Sequence, residues 1–231
     1  MANYILAIDS STESCSVSIW SCGEIFTQFS VSPRVHTRKI LQMVEQCLID
    51  AHLNLHNIDL LVFGHGPGSF TGIRISVGIA QGLAFGANIP MIGISSLLTM
   101  AQGASRQLGA KKVLVAIDAR MGEIYSACYQ LKLGGYWQGE ESESVLKPEQ
   151  FLSIINKLND QWTIVGTGWL SYPILKMTNL SLLESDIYLP DAKDMLFLAL
   201  QKLETCKTIV AEEARPVYLR NKINLKKLSD H

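Results

Sequence analysis

The chain has 231 residues, of which 48% are hydrophobic and 18% charged, enough to bury one large core or two small ones and to exclude global disorder. Its formal net charge of −1 gives no electrostatic ground for tight unaided binding to nucleic acid. Five scattered cysteines with no C-x-x-C spacing and no signal-peptide pattern lead us to expect a reduced, cytoplasmic protein.

In chain order, Tyr4–Ile8 is an apolar strand closed by Asp9, and Ser10 to Ser14 turns the chain. Cys15–Trp20 and Ile25–Val31 alternate about a Cys22-Gly23 turn, which predicts a three-strand antiparallel meander. Pro33 opens an amphipathic helix to about His52, with Ile40, Leu41, Val44, Cys47, Leu48 and Ala51 at helical spacing. The fully apolar strand Ile58–Phe63 runs into Gly64-His-Gly-Pro-Gly-Ser-Phe-Thr-Gly-Ile-Arg74, and a helix follows over about Thr71–Gly86. Strand Pro90–Ile94 and helix Ser96–Leu108 come next. The stretch Ile75–Ser105 carries no charge, but Gln81, Asn88, Pro90 and Gln102 interrupt it, so it reads as buried core and not as a membrane span.

The pattern then restarts. Ala-Ile-Asp recurs at 7–9 and 116–118, each copy followed by a polar turn and an alternating strand. A Gly134-Gly135 turn, helix Pro148–Leu158, strand Thr163–Val165, a helix near Tyr172–Met177 and a helix over 192–206 complete the second copy. A duplicated strand–turn–strand, strand, helix, strand unit predicts an α/β protein of two ribonuclease-H-like lobes, the plan of the actin, hexokinase and Hsp70 (ASKHA) nucleotide-binding superfamily. We expect the first lobe over 1–108, a second, reduced lobe over 109–208, and a C-terminal segment, 209–231, that returns to the first lobe.

The glycine loop fits neither phosphate cradle whose mechanics are known. A P-loop needs Lys after its last glycine, and here Ile73 follows Gly72; G-x-G-x-x-G fails because Ser69 or Thr71 falls where the third glycine belongs. Two readings stand: a structural turn whose Ser69 or Thr71 caps the helix, or an anion site at the helix N-terminus. Asp9, Ser10 and Asp118 mark a vestigial nucleotide site, but Ala119-Arg120-Met121-Gly122-Glu123 is not the glycine-rich second phosphate loop of an active kinase. His52 and His56 have the i, i+4 spacing of a metal pair, yet they lie where the helix runs out, and no Glu follows His52. We therefore expect no metal, no cofactor and no catalytic triad. The basic run Arg215, Arg220, Lys222, Lys226 and Lys227 is interleaved with Val217, Tyr218, Leu219 and Leu225, which favours a partly docked tail over an RNA-binding arm.

Taken whole, GPGSFTGIR after an apolar strand resembles the hallmark of the bacterial TsaB (YeaZ) family, as do ILAIDSSTESCSVSI at 5–19, PRVHT at 33–37, DARMGEIY at 118–125 and RPVYLRNK at 215–222. The resemblance runs from the first strand to the basic tail. It implies a cytoplasmic, non-catalytic accessory subunit that works with TsaD and the ATPase TsaE to form threonylcarbamoyladenosine in tRNAs reading ANN codons, with tRNA reached through the complex. A free-standing kinase-like ATPase is the alternative, and a metallo-glycoprotease a distant third.

The helix after the glycine loop supplies an expectation of its own. Small residues fill a broad arc, the ridge Gly78/Gly82/Gly86 runs at i, i+4 spacing, and only Arg74 and Gln81 share a polar strip. One sheet covers one side of a helix that is apolar almost all round. The expected docking face for TsaD, or for a homodimer in its absence, comprises His36, Ile40, Val44, Ile75, Gly78, Ile79 and Gly82.

Overall fold

The first sheet begins as expected: β1 (Tyr4–Asp9), β2 (Ser14–Ser21) and β3 (Glu24–Val31) form an antiparallel meander in which Ile8 pairs with Val17 and Ser14 with Val31. Helix α1 (His36–Asp50) leads to β4 (Leu60–Gly66), parallel to β1. Helix α2 (Phe70–Ala87) then leads to β5 (Met91–Ser95), parallel to β4, and α3 (Ser96–Leu108) follows directly. The computed structural model describes residues 2–31, 36–205 and 207–220, so Pro33 and Cys206 lie outside the described residues.

The second sheet repeats the plan. β6 (Lys112–Asp118) pairs antiparallel with β7 (Ile124–Leu131), and β7 is flanked by two short strands, β8 (Trp137–Gln138) and β9 (Ser144–Leu146). After α4 (Pro148–Ile155) comes β10 (Gln161–Val165), parallel to β6; after α5 (Gly168–Ser171) comes β11 (Ser181–Leu183), parallel to β10. Helix α6 (Ala192–Thr205) follows. Strand orders β3-β2-β1-β4-β5 and β8-β7-β6-β10-β11 are the same path traced twice. The chain is thus an α/β protein of two ribonuclease-H-like lobes of the ASKHA type.

The layers follow from the apolar patterning. Inner faces of both sheets, with Ile5, Val62 and Ile94 on one side and Val113, Val115 and Tyr129 on the other, enclose α3 and α6 in one shared core. Helices α1 and α2 cover the outer face of the first sheet. Phe151 of α4 and Trp169 of α5 cover that of the second, with Trp162 of β10 beneath them. Among the described residues no helix is long and apolar enough to cross a membrane.

Several boundaries differ from expectation: β4, expected over Ile58–Phe63, is Leu60–Gly66 and runs into the glycine loop, and α1 ends at Asp50 and not at His52. Helix α4 stops at Ile155, not Leu158. The expected helix near 172–177 is α5 ending at Ser171 and then a 3-10 turn over Pro173–Lys176. The reason is Pro173: it biases the preceding residue to extended backbone, and Tyr172 has φ −131° and ψ 83°. Strands β8, β9 and β11, only two or three residues long, are too short to leave a pattern in the sequence.

Candidate functional site: a sealed glycine loop and an open glycine ridge

The glycine loop closes onto the turn after β1. A Cβ added at Gly68 would lie 2.1 Å from the Ser11 carbonyl oxygen, one at Gly72 2.1 Å from the Ser10 carbonyl oxygen, and one at Gly64 1.8 Å from Asp9 Oδ1. Only glycine permits such approaches of backbone to backbone. Three backbone amides around the head of α2 are engaged within the protein: Ser69 N donates to Ser11 O at 2.7 Å, Gly72 N to the capping Ser69 Oγ at 3.4 Å, and Ile73 N to Ser69 O at 2.9 Å. This is the geometry of a turn packed backbone to backbone and capped by Ser69.

Beneath it, Asp9 is 1% exposed and Ser10 and Ser11 are buried completely. Ser11 donates its N–H (3.2 Å) and Oγ–H (3.0 Å) to Asp9 Oδ2, Ser10 Oγ donates to Gly72 O at 2.9 Å, and Ser96 Oγ to Ser11 Oγ at 2.7 Å. Asp9 Oδ1 has no hydrogen-bond partner. Burial pushes the Asp9 carboxyl up to about 6, opposed by the two Ser11 hydrogen bonds and assisted by the nearby Asp191. A magnesium–nucleotide needs this carboxylate open to the ligand, and its burial does not fit that group.

Asp118 ends β6 in the equivalent place but is 19% exposed at its side chain. Its Oδ1 accepts from Arg120 N at 2.9 Å and from the Tyr172 hydroxyl at 3.1 Å, while Thr167 Oγ1 accepts from Asp118 N at 3.1 Å. The turn that follows holds Arg120 at φ 62° and Met121 at φ 58°, and the Arg120 guanidinium spans to Glu13 of the first lobe at 3.3 Å. Asp9 and Asp118 therefore do not form a matched pair: one is sealed, the other tied into a surface ion-pair network. His52 and His56 do not share a helix either. The helix ends at Asp50, His52 has φ 55°, and His56 sits in a separate 3-10 turn capped by Asn54.

The outer face of the first lobe is different. Ile73, Ser76, Val77, Ala80 and Ala84 turn toward the sheet, while Gly78, Gly82 and Gly86 face away, and no atom of the described residues lies within 4 Å of a Cβ added at any of them. Ile75 and Ile79 are half-buried beside the ridge, and Phe85 is 73% exposed. On α1, Ile40 is 0% and Val44 4% exposed; both pack on the outer face of the sheet among Leu6, Ile8 and Val17. This corrects their placement on a docking face: the apolar stripe of α1 is consumed in covering its own sheet. The outward apolar residues of α1 are Leu41, which the helical spacing counts in that stripe, and Ile49, which stands outside it. The backbone of His36 opens α1; its side chain lies outside what the structure describes.

The polar strip of α2 holds the C-terminal segment. Gln81 Nε2 donates to Ala211 O (2.9 Å) and Ala214 O (3.2 Å). Arg74 lies 3.6 Å above the Phe70 ring and donates from Nε to the Tyr218 hydroxyl at 2.9 Å. Val217 N donates to His65 O at 2.8 Å, and Ile209 bridges to Met91. Arg215 binds the carbonyls of Glu212 and Ala214, and Arg220 pairs with Glu123 on the second-lobe turn. Lys222, Leu225, Lys226, Lys227 and His231 lie outside the described residues.

Comparison with known proteins agrees with this architecture. Residues 30–223 match the profile of the family described as TsaD, tRNA N6-adenosine threonylcarbamoyltransferase. The chain is 52% identical over 225 residues to the tRNA threonylcarbamoyladenosine biosynthesis protein TsaB of Escherichia coli (strain K12), covering 97% of each chain. It is 46% identical to the protein of the same name from Haemophilus influenzae, covering 97% of this chain and 96% of that one. The solved structure of YeaZ from Pseudomonas aeruginosa superposes with a TM-score of 0.83 at 38% identity, covering 94% of this chain and all of that one. With a relative this similar over almost its whole length, a duplicated ribonuclease-H-like fold and the GPGSFTGIR loop closed over Asp9, the chain belongs to the TsaB family of tRNA threonylcarbamoyladenosine biosynthesis proteins.

Proposed function

We propose that this protein is a non-catalytic accessory subunit in the formation of threonylcarbamoyladenosine in tRNA, acting in the cytoplasm with TsaD and TsaE and meeting tRNA through the complex. The family profile it matches is described as a transferase, while its near relatives are named biosynthesis proteins. Within that tension, the single observation that carries the accessory reading is the sealed Asp9. The carboxylate that the ASKHA plan would offer to a nucleotide is buried under a glycine loop that closes onto the Ser10 and Ser11 carbonyls. What the molecule presents instead is the uncharged ridge of α2 with Ile75 and Ile79 beside it. A side-chain-free ridge admits a second helix at close range, which makes this face the docking site for TsaD and, in its absence, for a second copy of the chain.

The test is direct. Purified chain mixed with TsaD should elute as a stable complex. Given ATP and a preformed activated threonylcarbamoyl donor, the three proteins together should transfer the threonylcarbamoyl group to tRNA adenosine, and the isolated chain should not. Steady ATP turnover by the isolated chain that disappears in Asp9→Ala would favour the kinase-like reading. Failure of the chain to associate with TsaD would remove the accessory one.

A further inference from the structure

β3 is the free edge of the first sheet, and one face of it is left half-covered: Phe29 is 45% and Val31 56% exposed. These two side chains line a cleft of about 260 Å3. Met100 and Gly103 of α3 and Ile187, Tyr188 and Leu189 also line it. Its polar lining is acidic, with Asp186, Asp191 and Asp194. Arg106 binds Asp194 at 2.6 Å and Lys193 pairs with Asp191 at 2.9 Å. Asp186 has the Tyr188 hydroxyl at 3.4 Å but, among the described residues, no cation. The cleft thus asks for an occupant with apolar side chains and positive charge.

The chain carries such a sequence next to the cleft's mouth. Arg220, the last described residue, is fixed on the turn after β6, where it binds Ala119 O at 3.2 Å and pairs with Glu123. Arg120 of that turn reaches Glu13 at 3.3 Å, and Glu13 precedes Ser14. Ser14 pairs with Val31 in the sheet and donates to Pro190 O at 3.2 Å, so it ties β3 to residues 186–191. The eleven residues after Arg220 read NKINLKKLSDH, with Lys222, Lys226 and Lys227 set among Ile223, Leu225 and Leu228. Extended at ~3.3 Å per residue, eleven residues reach ~36 Å, ample for the few residues that separate the turn from the cleft.

We propose that the cleft between β3 and residues 186–191 is the docking site of the chain's own C-terminal sequence 221–231, its leucines and isoleucine against Phe29, Val31 and Tyr188 and its lysines toward Asp186. The test uses the chain ended at Arg220 and a fluorescent peptide of the sequence NKINLKKLSDH. The shortened chain should bind the peptide saturably, and the full chain at least tenfold more weakly, because its own tail competes. Asp186→Lys, an exposed change, should weaken binding to the shortened chain about tenfold, and added salt should weaken it too. Equal binding by the two chains, or indifference to Asp186→Lys, overturns the proposal. So does a loss of tRNA affinity on shortening without any peptide binding, which would assign the lysines to RNA. Should the shortened chain not fold, the full chain with Cys22→Ser decides. Val31→Cys with Leu225→Cys should cross-link on mild oxidation far faster than Leu133→Cys with Leu225→Cys, and equal rates would refute the docking.

Discussion

Asp9 and the buried imidazole of His65 pull the pH dependence of stability in opposite directions. The Asp9 carboxyl is held at about 6 in the folded chain, chiefly by burial, against ~3.9 when unfolded. Between those values the native state binds the extra proton, so stability falls by about 3 kcal/mol as pH rises from ~4 to ~6. His65 is held at about 4 by burial and then by Lys202, and its Nδ1 has no partner. Between ~4 and ~6.5 the unfolded chain binds the proton, so stability falls by a similar amount as pH drops. The two slopes nearly cancel in the native protein. Asp9→Asn removes one of them: the variant should match the parent near pH 4 and exceed it by about 3 kcal/mol above pH 6.5, read as urea midpoints across the range. An Asn variant no more stable than the parent at pH 8 would mean that the buried carboxylate is not strained. The sequence shows Asp9 as an acid closing a strand. It cannot show the burial, because the cover arrives from Gly64, Gly68 and Gly72, more than fifty residues away.

Two sets of glycines around one helix do opposite work, and substitution separates them. Gly68 in the loop faces the Ser11 carbonyl, a backbone atom that cannot swing aside, so Gly68→Ala should cost about 1–3 kcal/mol in unfolding free energy. Gly82 in the middle of α2 faces open space, so Gly82→Leu should leave the isolated fold unharmed and by helix propensity improve it by up to ~1 kcal/mol. On the docking face the same leucine would overpack an approaching helix by ~1–3 kcal/mol, a 5- to 150-fold loss of affinity for TsaD. Wild-type affinity for TsaD with Gly82→Leu would remove the ridge from the interface. The periodicity of α2 makes its all-round apolarity legible, and its polar strip of Arg74 and Gln81 is the surface that receives the C-terminal segment. On α1 the same logic misleads. Apolar spacing selects Ile40 and Val44, but a stripe at helical period is first of all what a sheet needs for cover, and the residues left for a partner sit beside it.

At the scale of the molecule, the duplication is readable from the repeated Ala-Ile-Asp and the strand order it launches, whereas the seating of α6 is not. That helix belongs in sequence to the second copy, yet it packs on β1 and β2 of the first sheet and against α3. Its entry is fastened there: Ser16 Oγ accepts from Ala192 N at 2.9 Å, and the Arg106–Asp194 pair ties it to α3. Met195, Leu196 and Ala199 are buried in the core shared by both sheets. The lobes should therefore unfold as one unit, and neither half of the duplication should stand alone. A fragment of residues 1–108 would leave Ile5, Ala7, Val62 and Ile94 without the helix that covers them, so it should be unfolded or aggregated. In the whole chain, Leu196→Ala should cost about 2–5 kcal/mol and lower the urea midpoints for hydrogen exchange of β1 and β10 equally. A lower midpoint for β1 with β10 unmoved would show two lobes that fold independently, with α6 merely resting on the first. Equal shifts would mean that α6, buried in the core shared by both sheets, locks the two lobes into one cooperative unit.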